Sequence, residues 1–113
     1  MPGWFELSEN DDGRFRFVVK AGNGETILTS QLYGTRASAE GGIASVQSNS
    51  PLDEHYERKE SSSGKFYFTL RAANHEVIGT SQLYASAQSR EAGIDSVRAN
   101  GSSRTVKDDM GLY

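Results

Sequence analysis

An internal repeat constrains this chain more than any other feature of its sequence. Sliding the sequence by 51 positions, which brings Phe15 onto Phe66, aligns the two halves without a gap. The longest identical block is Thr29-Ser-Gln-Leu-Tyr33, which returns at positions 80–84. Other identical pairs include Phe17/Phe68, Asn23/Asn74, Glu25/Glu76, Ile27/Ile78, Gly42/Gly93, Ile43/Ile94 and Val46/Val97. This register indicates a duplicated unit. Because half of 113 residues is near the size at which a separate core becomes marginal, we expect the halves to share one core.

Hydrophobic alternation predicts the strands of each unit. In Arg14–Lys20, Phe15, Phe17 and Val19 point to one side of the strand, while Arg14, Arg16 and Lys20 point to the other, and Lys65–Arg71 keeps Phe66, Phe68 and Leu70 on one side. Such period-two alternation indicates strands with one buried and one exposed face. Further strands are predicted at 3–8, 25–31, 52–60, 76–82 and 103–107.

Turn residues separate these strands. Gly22-Asn-Gly24 favours a tight hairpin, because asparagine and glycine accept positive φ angles. The second copy reads Ala73-Asn-His75, where we predict that Asn74 adopts the left-handed conformation.

One helix is predicted near the end of each unit. Thr35 and Ser86 are suitable N-cap residues, and the helices should end at about residues 48 and 99. Gly42 and Gly93 lie inside these helices, where glycine costs about 1 kcal/mol relative to alanine. We therefore predict that the helix backbone packs too closely against the aromatic sheet for a side chain to fit.

Five motifs together point to a known family: Trp4-Phe-Glu-Leu, Gly13-Arg-Phe-Arg-Phe, Lys20-Ala-Gly-Asn-Gly-Glu-Thr-Ile, Ser30-Gln-Leu-Tyr and Gly42-Ile-Ala-Ser-Val. Through these motifs the chain resembles the YegP-like family of tandem-repeat bacterial domains, from Trp4 to about Asp108. The resemblance implies an α+β fold in which two tandem β3-α-β units share one antiparallel sheet. It also implies helices on one face of the sheet and trailing strands exchanged between units. It implies no catalytic residues, substrate or cofactor.

The repeat boundaries follow from the alignment of the two halves. Residues 1–51 form the first predicted β-β-β-α-β repeat, and residues 52–108 form the second. Residues 109–113 are expected to be a frayed tail. We predict that both repeats belong to one globular domain.

Composition narrows the classes of function. The sequence contains no cysteine, which excludes disulfides and thiolate metal sites. The start of the chain lacks the pattern of a secretion signal, and no apolar stretch reaches the length of a membrane span. The sequence thus predicts a cytoplasmic protein without membrane contact. The net charge of −3 provides no overall attraction for nucleic acids or anionic membranes.

Catalytic and metal-binding patterns are absent from the sequence. His55 and His75 are the only histidines, and neither is spaced from other ligands as a metal site requires. No serine lies in a nucleophile-elbow motif, and no glycine-rich segment continues into a phosphate-binding loop. We therefore predict that the protein is not an enzyme and binds neither metal nor cofactor.

The repeated Gln-Leu-Tyr corners are the first candidate binding site. Gln31, Tyr33, Gln82 and Tyr84 lie where a strand leads into a helix. These side chains can contact a protein or peptide partner. Alternatively, they satisfy buried polar groups and close the corner.

The exposed side of the sheet is the second candidate. Its cationic and aromatic residues are Arg14, Arg16, Lys20, Lys65, Tyr67 and Arg71. A face of this kind can bind nucleic acid, although alternating cations on a strand are commonly just solvated and discourage edge aggregation. The main hypothesis is a binding or structural module for a protein or peptide, and the alternative is nucleic-acid binding. The predicted oligomeric state is a monomer or a strand-exchanged dimer.

Overall fold

The computed structural model describes residues 3–108, which form seven strands and two α-helices. In chain order these elements are β1 (Trp4–Glu9), β2 (Phe15–Lys20), β3 (Thr26–Ser30), α1 (Arg36–Asn49), β4 (Tyr56–Glu60), β5 (Phe66–Arg71), β6 (Val77–Thr80), α2 (Ala87–Asn100) and β7 (Val106–Asp108). A short 3-10 helix, Asp53–His55, precedes β4. None of the helices in residues 3–108 has both the length and the apolar character needed to cross a membrane.

All seven strands belong to one sheet, in the order β4-β5-β6-β3-β2-β1-β7. The predicted α+β fold with a shared sheet is confirmed, with one correction to strand direction. Every neighbouring pair is antiparallel except β1 and β7, which run parallel. The sheet is therefore mixed, because the chain returns from α2 and enters β7 in the same direction as β1. The strand after each helix crosses to the other half of the sheet: β4 pairs with β5, and β7 pairs with β1.

The two repeats meet at the centre of the sheet with approximate two-fold symmetry. Thr29 of β3 pairs with Thr80 of β6, and these two residues occupy the same position in the repeat. An approximate two-fold axis thus passes between them. The division at residue 51 remains a prediction from the alignment.

The shared core lies between the helices and one face of the sheet. Phe5, Phe17, Phe68 and Ile94 are almost completely buried there, together with Leu7, Val19, Ile27, Leu28, Val46, Leu70 and Val97. The predicted close packing of the helix backbone against aromatic rings at Gly42 and Gly93 is confirmed. A Cβ added to Gly42 would lie 2.9 Å from the Phe17 ring, and one added to Gly93 would lie 2.6 Å from Cζ of Tyr84.

The predicted helix starts are also confirmed. The hydroxyl of Thr35 accepts a hydrogen bond from the Ser38 amide, and that of Ser86 accepts one from the Ser89 amide. Each cap satisfies a backbone N–H that the first helical turn leaves without a partner. Both helices end one residue later than predicted, at Asn49 and Asn100.

Three sequence predictions need correction. In the second hairpin, His75 adopts the positive φ angle of 71°, whereas Asn74 accepts a hydrogen bond from the Glu76 amide over 3.1 Å. The strand predicted at 52–60 begins only at Tyr56, because the preceding residues form the 3-10 helix. The last strand covers 106–108 rather than 103–107. The tail at 109–113 lies outside the described residues.

Candidate functional site

A serine hydroxyl holds the first Gln-Leu-Tyr corner together. Phe15 forms a backbone bridge with Tyr33, and Val18 pairs with Thr29. The β3 side therefore contains one residue more than the β2 side, which is a β-bulge. Ser30 completes the interrupted ladder, because its Oγ accepts the Phe17 N–H at 2.9 Å and donates to the Gln31 carbonyl at 2.7 Å.

The second corner repeats this construction. Oγ of Ser81 accepts the Phe68 N–H at 3.0 Å and donates to the Gln82 carbonyl at 2.7 Å. Tyr84 forms the backbone bridge with Phe66. Because the ladder is bridged by a side chain, the residues after each serine leave the strand.

The two candidate tyrosines are largely packing residues. Tyr33 stacks on Phe17 with a centroid separation of 6.2 Å, and Tyr84 stacks on Phe68 at 6.3 Å. Both are half-buried against the core. Burial raises the pKa of Tyr33, a hydrogen bond with the Gln31 side chain opposes that rise, and the charge of Glu76 adds to it. The tyrosine rings therefore pack between the corners and the core.

The glutamines and the leucines between them and the tyrosines face solvent. Gln31 and Gln82 are exposed, and Leu32 and Leu83 expose 43% and 57% of their surface. The sequence patterns alone assign no role to these leucines. Leu32 and Leu83 do belong to the identical block of the two repeats, which marks them as candidates. Their exposure could not be predicted, because the bulge interrupts the alternation of inward and outward side chains.

A groove of about 450 Å³ joins the two corners. It is lined by Thr26, Thr29, Ser30, Gln31, Val77, Gly79, Thr80, Ser81 and Gln82. Apart from Gly79, these residues form four pairs that occupy equivalent repeat positions. Thr29 and Thr80 lie at the two-fold axis, and Gln31 and Gln82 belong to its two symmetry-related halves. Among the described residues that line the groove, none has a charged side chain.

The strand register places this groove on the open face of the sheet, the face opposite the helices. Residues directly opposite each other on neighbouring strands point to the same face. Thr29 pairs with Val18, which alternates with the buried Phe17 and Val19. The same row continues through Thr80 and Thr69 to Glu57.

The six cationic and aromatic candidates do not form one patch. Arg16 and Lys20 are in β2, Tyr67 and Arg71 are in β5, and Arg14 and Lys65 immediately precede those strands. Because β3 and β6 separate β2 from β5, the two groups are about 14 Å apart across the sheet.

Several of these cations already form ion pairs or hydrogen bonds within the protein. Nη2 of Arg71 lies 2.9 Å from the Glu57 carboxylate, and Nζ of Lys20 donates to Thr26 at 2.7 Å. Arg14 lies 3.5 Å from Asp12. The hydrogen bond from Arg71 lowers the pKa of Glu57, so this carboxylate stays ionised and offsets the positive charge of the open face.

The histidines do not converge with other polar groups. Nδ1 of His55 contacts the Arg71 carbonyl at 3.1 Å, while His75 occupies the exposed hairpin turn. Within residues 3–108, no group of three or more histidine or acidic residues is arranged to hold a metal ion.

Comparison with known proteins identifies the family. The family model described as Domain of unknown function (DUF1508) matches residues 10–57 and 61–108. UPF0339 protein YegP of Shigella flexneri is 70% identical over 109 residues, which cover 96% of this chain and 99% of that protein. UPF0339 protein YegP of Escherichia coli strain K12 is 69% identical with the same coverage.

Solved structures agree with these matches. The solution NMR structure of yegP from E. coli, described as a protein of unknown function, superposes with a TM-score of 0.93 at 67% identity, covering 100% of this chain and 97% of that one. The solution NMR structure of a UPF0339 protein from Shewanella oneidensis gives a TM-score of 0.90 at 52% identity, with coverages of 96% and 92%. The fold and the YegP-like resemblance are thereby confirmed, and the chain belongs to the DUF1508 family.

Proposed function

We propose that this protein is a non-enzymatic module that binds a protein or peptide segment in the groove between the two Gln-Leu-Tyr corners. The observation that carries the proposal is the groove itself, which is uncharged, repeated about the two-fold axis and bordered by exposed corners. The cytoplasmic location predicted from the sequence belongs to the same proposal.

The chemistry of the groove matches that of a polypeptide backbone. A glutamine amide offers an acceptor oxygen and a donor NH₂, the same pair of groups that each peptide unit presents. Threonine hydroxyls on the floor can donate or accept. Leu32 and Leu83 add apolar surface next to these polar groups, and this combination is typical of sites that bind by shape and hydrogen bonding.

The sheet edge at β4 supports this proposal less well than the groove does. The backbone N–H of Tyr56 is already bonded to the Asp53 carbonyl in the 3-10 helix. The strand itself reads Tyr-Glu-Arg-Lys-Glu, and charged side chains on an edge strand discourage strand addition. We therefore place the partner in the groove.

The test is to pan a random-peptide phage library on immobilised protein and to measure the affinity of the enriched peptides. Thr29→Trp fills the groove floor without entering the core, and Gln31→Ala combined with Gln82→Ala removes both amides. Each should weaken binding by about tenfold or more, as expected for central interface residues. Arg16→Glu is the matched control and should leave binding unchanged.

Two results would overturn the proposal. One is recovery of the same peptides on Thr29→Trp and on the wild type. The other is tight binding of a duplex or single-stranded oligonucleotide at about 50 mM salt, weakened steeply by added salt and abolished by Arg16→Glu. That second result would support the nucleic-acid hypothesis instead.

A further inference from the structure

Strand β7 lies on the first repeat much as a bound peptide would. It pairs with β1 in parallel over three residues, Val106 to Asp108, and the Phe5 N–H donates to the Thr105 carbonyl at 2.9 Å. Its first and third side chains, Val106 and Asp108, face α1 alongside Phe5 and Leu7. The middle side chain faces the other way, with Nζ of Lys107 lying 4.2 Å from the Trp4 ring centroid.

Polar contacts with the first repeat contribute much of the attachment of this segment. Arg36 of α1 lies 2.5 Å from the Asp108 carboxylate. Gln47 donates to the Ser103 carbonyl at 2.9 Å, and the Ser103 hydroxyl donates to the Gly3 carbonyl at 2.7 Å. Val106 leaves 43% of its surface exposed, so little apolar burial holds the strand. Segments with few buried apolar contacts open at low free-energy cost.

The groove between β1 and α1 is built differently from its counterpart in the second repeat. The first repeat has buried Leu7 and Ala39 at positions where the second has Arg58 and Arg90. Ala44 and Gln47 likewise correspond to Asp95 and Arg98.

Those charged residues close the second groove with ion pairs. Arg58 lies 2.9 Å from Glu91 and 3.2 Å from Asp53, and Arg98 lies 2.6 Å from Asp53. The Tyr56 N–H, which is the counterpart of the Phe5 N–H, is bonded to the nearby Asp53 carbonyl. The first repeat therefore has an apolar groove beside β1, a strand that accepts a parallel neighbour. The equivalent edge of the second repeat has neither feature.

Space remains beside Val106. A cavity of about 320 Å³ is lined by Arg36, Glu40, Ile43, Ala44, Gln47, Val106 and Asp108. An aliphatic side chain longer than valine would extend into this space and contact Ile43 and Ala44. A strand with such a residue would fit the groove better than β7 does.

From these contacts we propose that the groove between β1 and α1 is an acceptor for an extended segment of a partner protein, which displaces β7. The segment carries a long aliphatic residue two positions before a carboxylate. Its backbone pairs with β1 in parallel, its aliphatic side chain fills the cavity, and its carboxylate binds Arg36. This surface is distinct from the groove between the corners, and β7 shields it in the free protein.

The probe is a synthetic peptide, Ser-Ser-Arg-Thr-Leu-Lys-Asp, which is the β7 segment with leucine in place of valine. Binding is measured by the fluorescence anisotropy of a dye on the amino end of the peptide, because the peptide's own lysine would take the place of Lys107 over the Trp4 ring. The leucine peptide should bind about fourfold more tightly than the valine peptide, which corresponds to one additional buried methylene. An asparagine in place of the final aspartate should weaken binding by about tenfold, because a charge-assisted bond to Arg36 is lost.

A disulfide lock supplies the matched control. Glu6 and Lys107 are direct partners across β1 and β7, and the chain has no other cysteine to interfere. The oxidised Glu6→Cys/Lys107→Cys protein should not bind the peptide, and reduction should restore binding. Thr29→Trp should leave this binding unchanged, which separates a failure here from a failure of the proposed function.

Three outcomes would overturn the inference. The first is equal peptide binding by the oxidised and reduced forms, and the second is equal affinity for the leucine peptide and a scrambled one. The third is no change in peptide anisotropy or in the NMR spectrum of the protein with any peptide. Self-association of the wild type that the lock abolishes would instead assign the groove to β7 of a second copy.

Discussion

The hydroxyl end of Tyr33 lies directly over the backbone of Gly42, where an added Cβ atom would overlap Tyr33 Oη and lie 2.8 Å from Tyr33 Cζ. Helix propensity alone predicts that Gly42→Ala stabilises α1 by about 1 kcal/mol. The contact reverses this sign, because overpacking in a filled core commonly costs about 1–3 kcal/mol. We expect Gly42→Ala to lower the free energy of unfolding, measured by urea denaturation.

Two variants check the origin of that loss. A Cβ added to Gly41 would have no neighbouring atom within 4 Å, so Gly41→Ala should stabilise the same helix. Tyr33→Phe removes the atom in closest contact and should recover part of the loss in a Gly42→Ala background. An increase in stability for Gly42→Ala alone would contradict the close packing.

Removal of the Ser30 hydroxyl should destabilise the first corner. Ser30→Ala leaves the Phe17 N–H without the acceptor that now lies 2.9 Å away, and a buried unsatisfied donor costs about 1–3 kcal/mol. Denaturation midpoints measure the change. Ser81→Ala is the matched variant, and it should cost less because Ser81 is more exposed than Ser30. Equal stability of Ser30→Ala and wild type would show that the hydroxyl does not bridge the bulge.

Replacement of His75 by glycine should stabilise the second hairpin. His75 has a φ angle of 71°, whereas the corresponding Gly24 of the first hairpin has 88°. A left-handed conformation costs a non-glycine residue about 1 kcal/mol relative to glycine. We expect His75→Gly to raise the melting temperature and Gly24→His to lower it. Opposite or absent shifts would show that neither turn imposes this conformation.

Acid should weaken the contact between β4 and β5. The pKa of Glu57 is lowered chiefly by its hydrogen bond from Arg71, so the folded state favours the ionised form. This contribution is present above the unfolded pKa, which is near 4.5, and is lost as the pH falls through the folded value. Melting temperatures between about pH 6 and pH 3 should fall less steeply in Glu57→Gln than in wild type. Arg71→Gln should flatten the profile in the same way, whereas an unchanged slope in both would exclude this pair.

Much of the fold could be predicted from the sequence, because the duplication shows each strand and helix pattern twice. The alternation around Phe17 recurs around Phe68, and the caps at Thr35 and Ser86 lie at equivalent positions. Local patterns therefore identified the strands, the helix starts and the need for Gly42. The direction of β7 was not accessible in this way, because parallel pairing depends on where the chain returns from α2.

The candidate site could likewise be predicted only in part from the sequence. Gln31 and Gln82 were identified from the repeated block, and the structure places both on one groove. Tyr33 turned out to pack on Phe17, and exposure of Leu32 was missed, because a bulge shifts the register and so reverses the expected side-chain direction. Arg16, Lys20, Tyr67 and Arg71 lie in strands as predicted, whereas Arg14 and Lys65 immediately precede them. The ion pair between Arg71 and Glu57 could not be predicted from local pattern, because it joins two neighbouring strands.

The sequence by itself determined the repeat, the element types and the aromatic core, because these depend on periodicity and residue chemistry along a short stretch of chain. Only the tertiary structure decided how the two repeats meet and how their outer edges differ. It brings Thr29 onto Thr80 at the two-fold axis, and it lays β7 on one edge of the sheet while the equivalent edge is closed by Arg58 and its partners. Those differences arise from contacts between residues far apart in the chain, whose pairing is decided by packing and by charge burial rather than by local pattern.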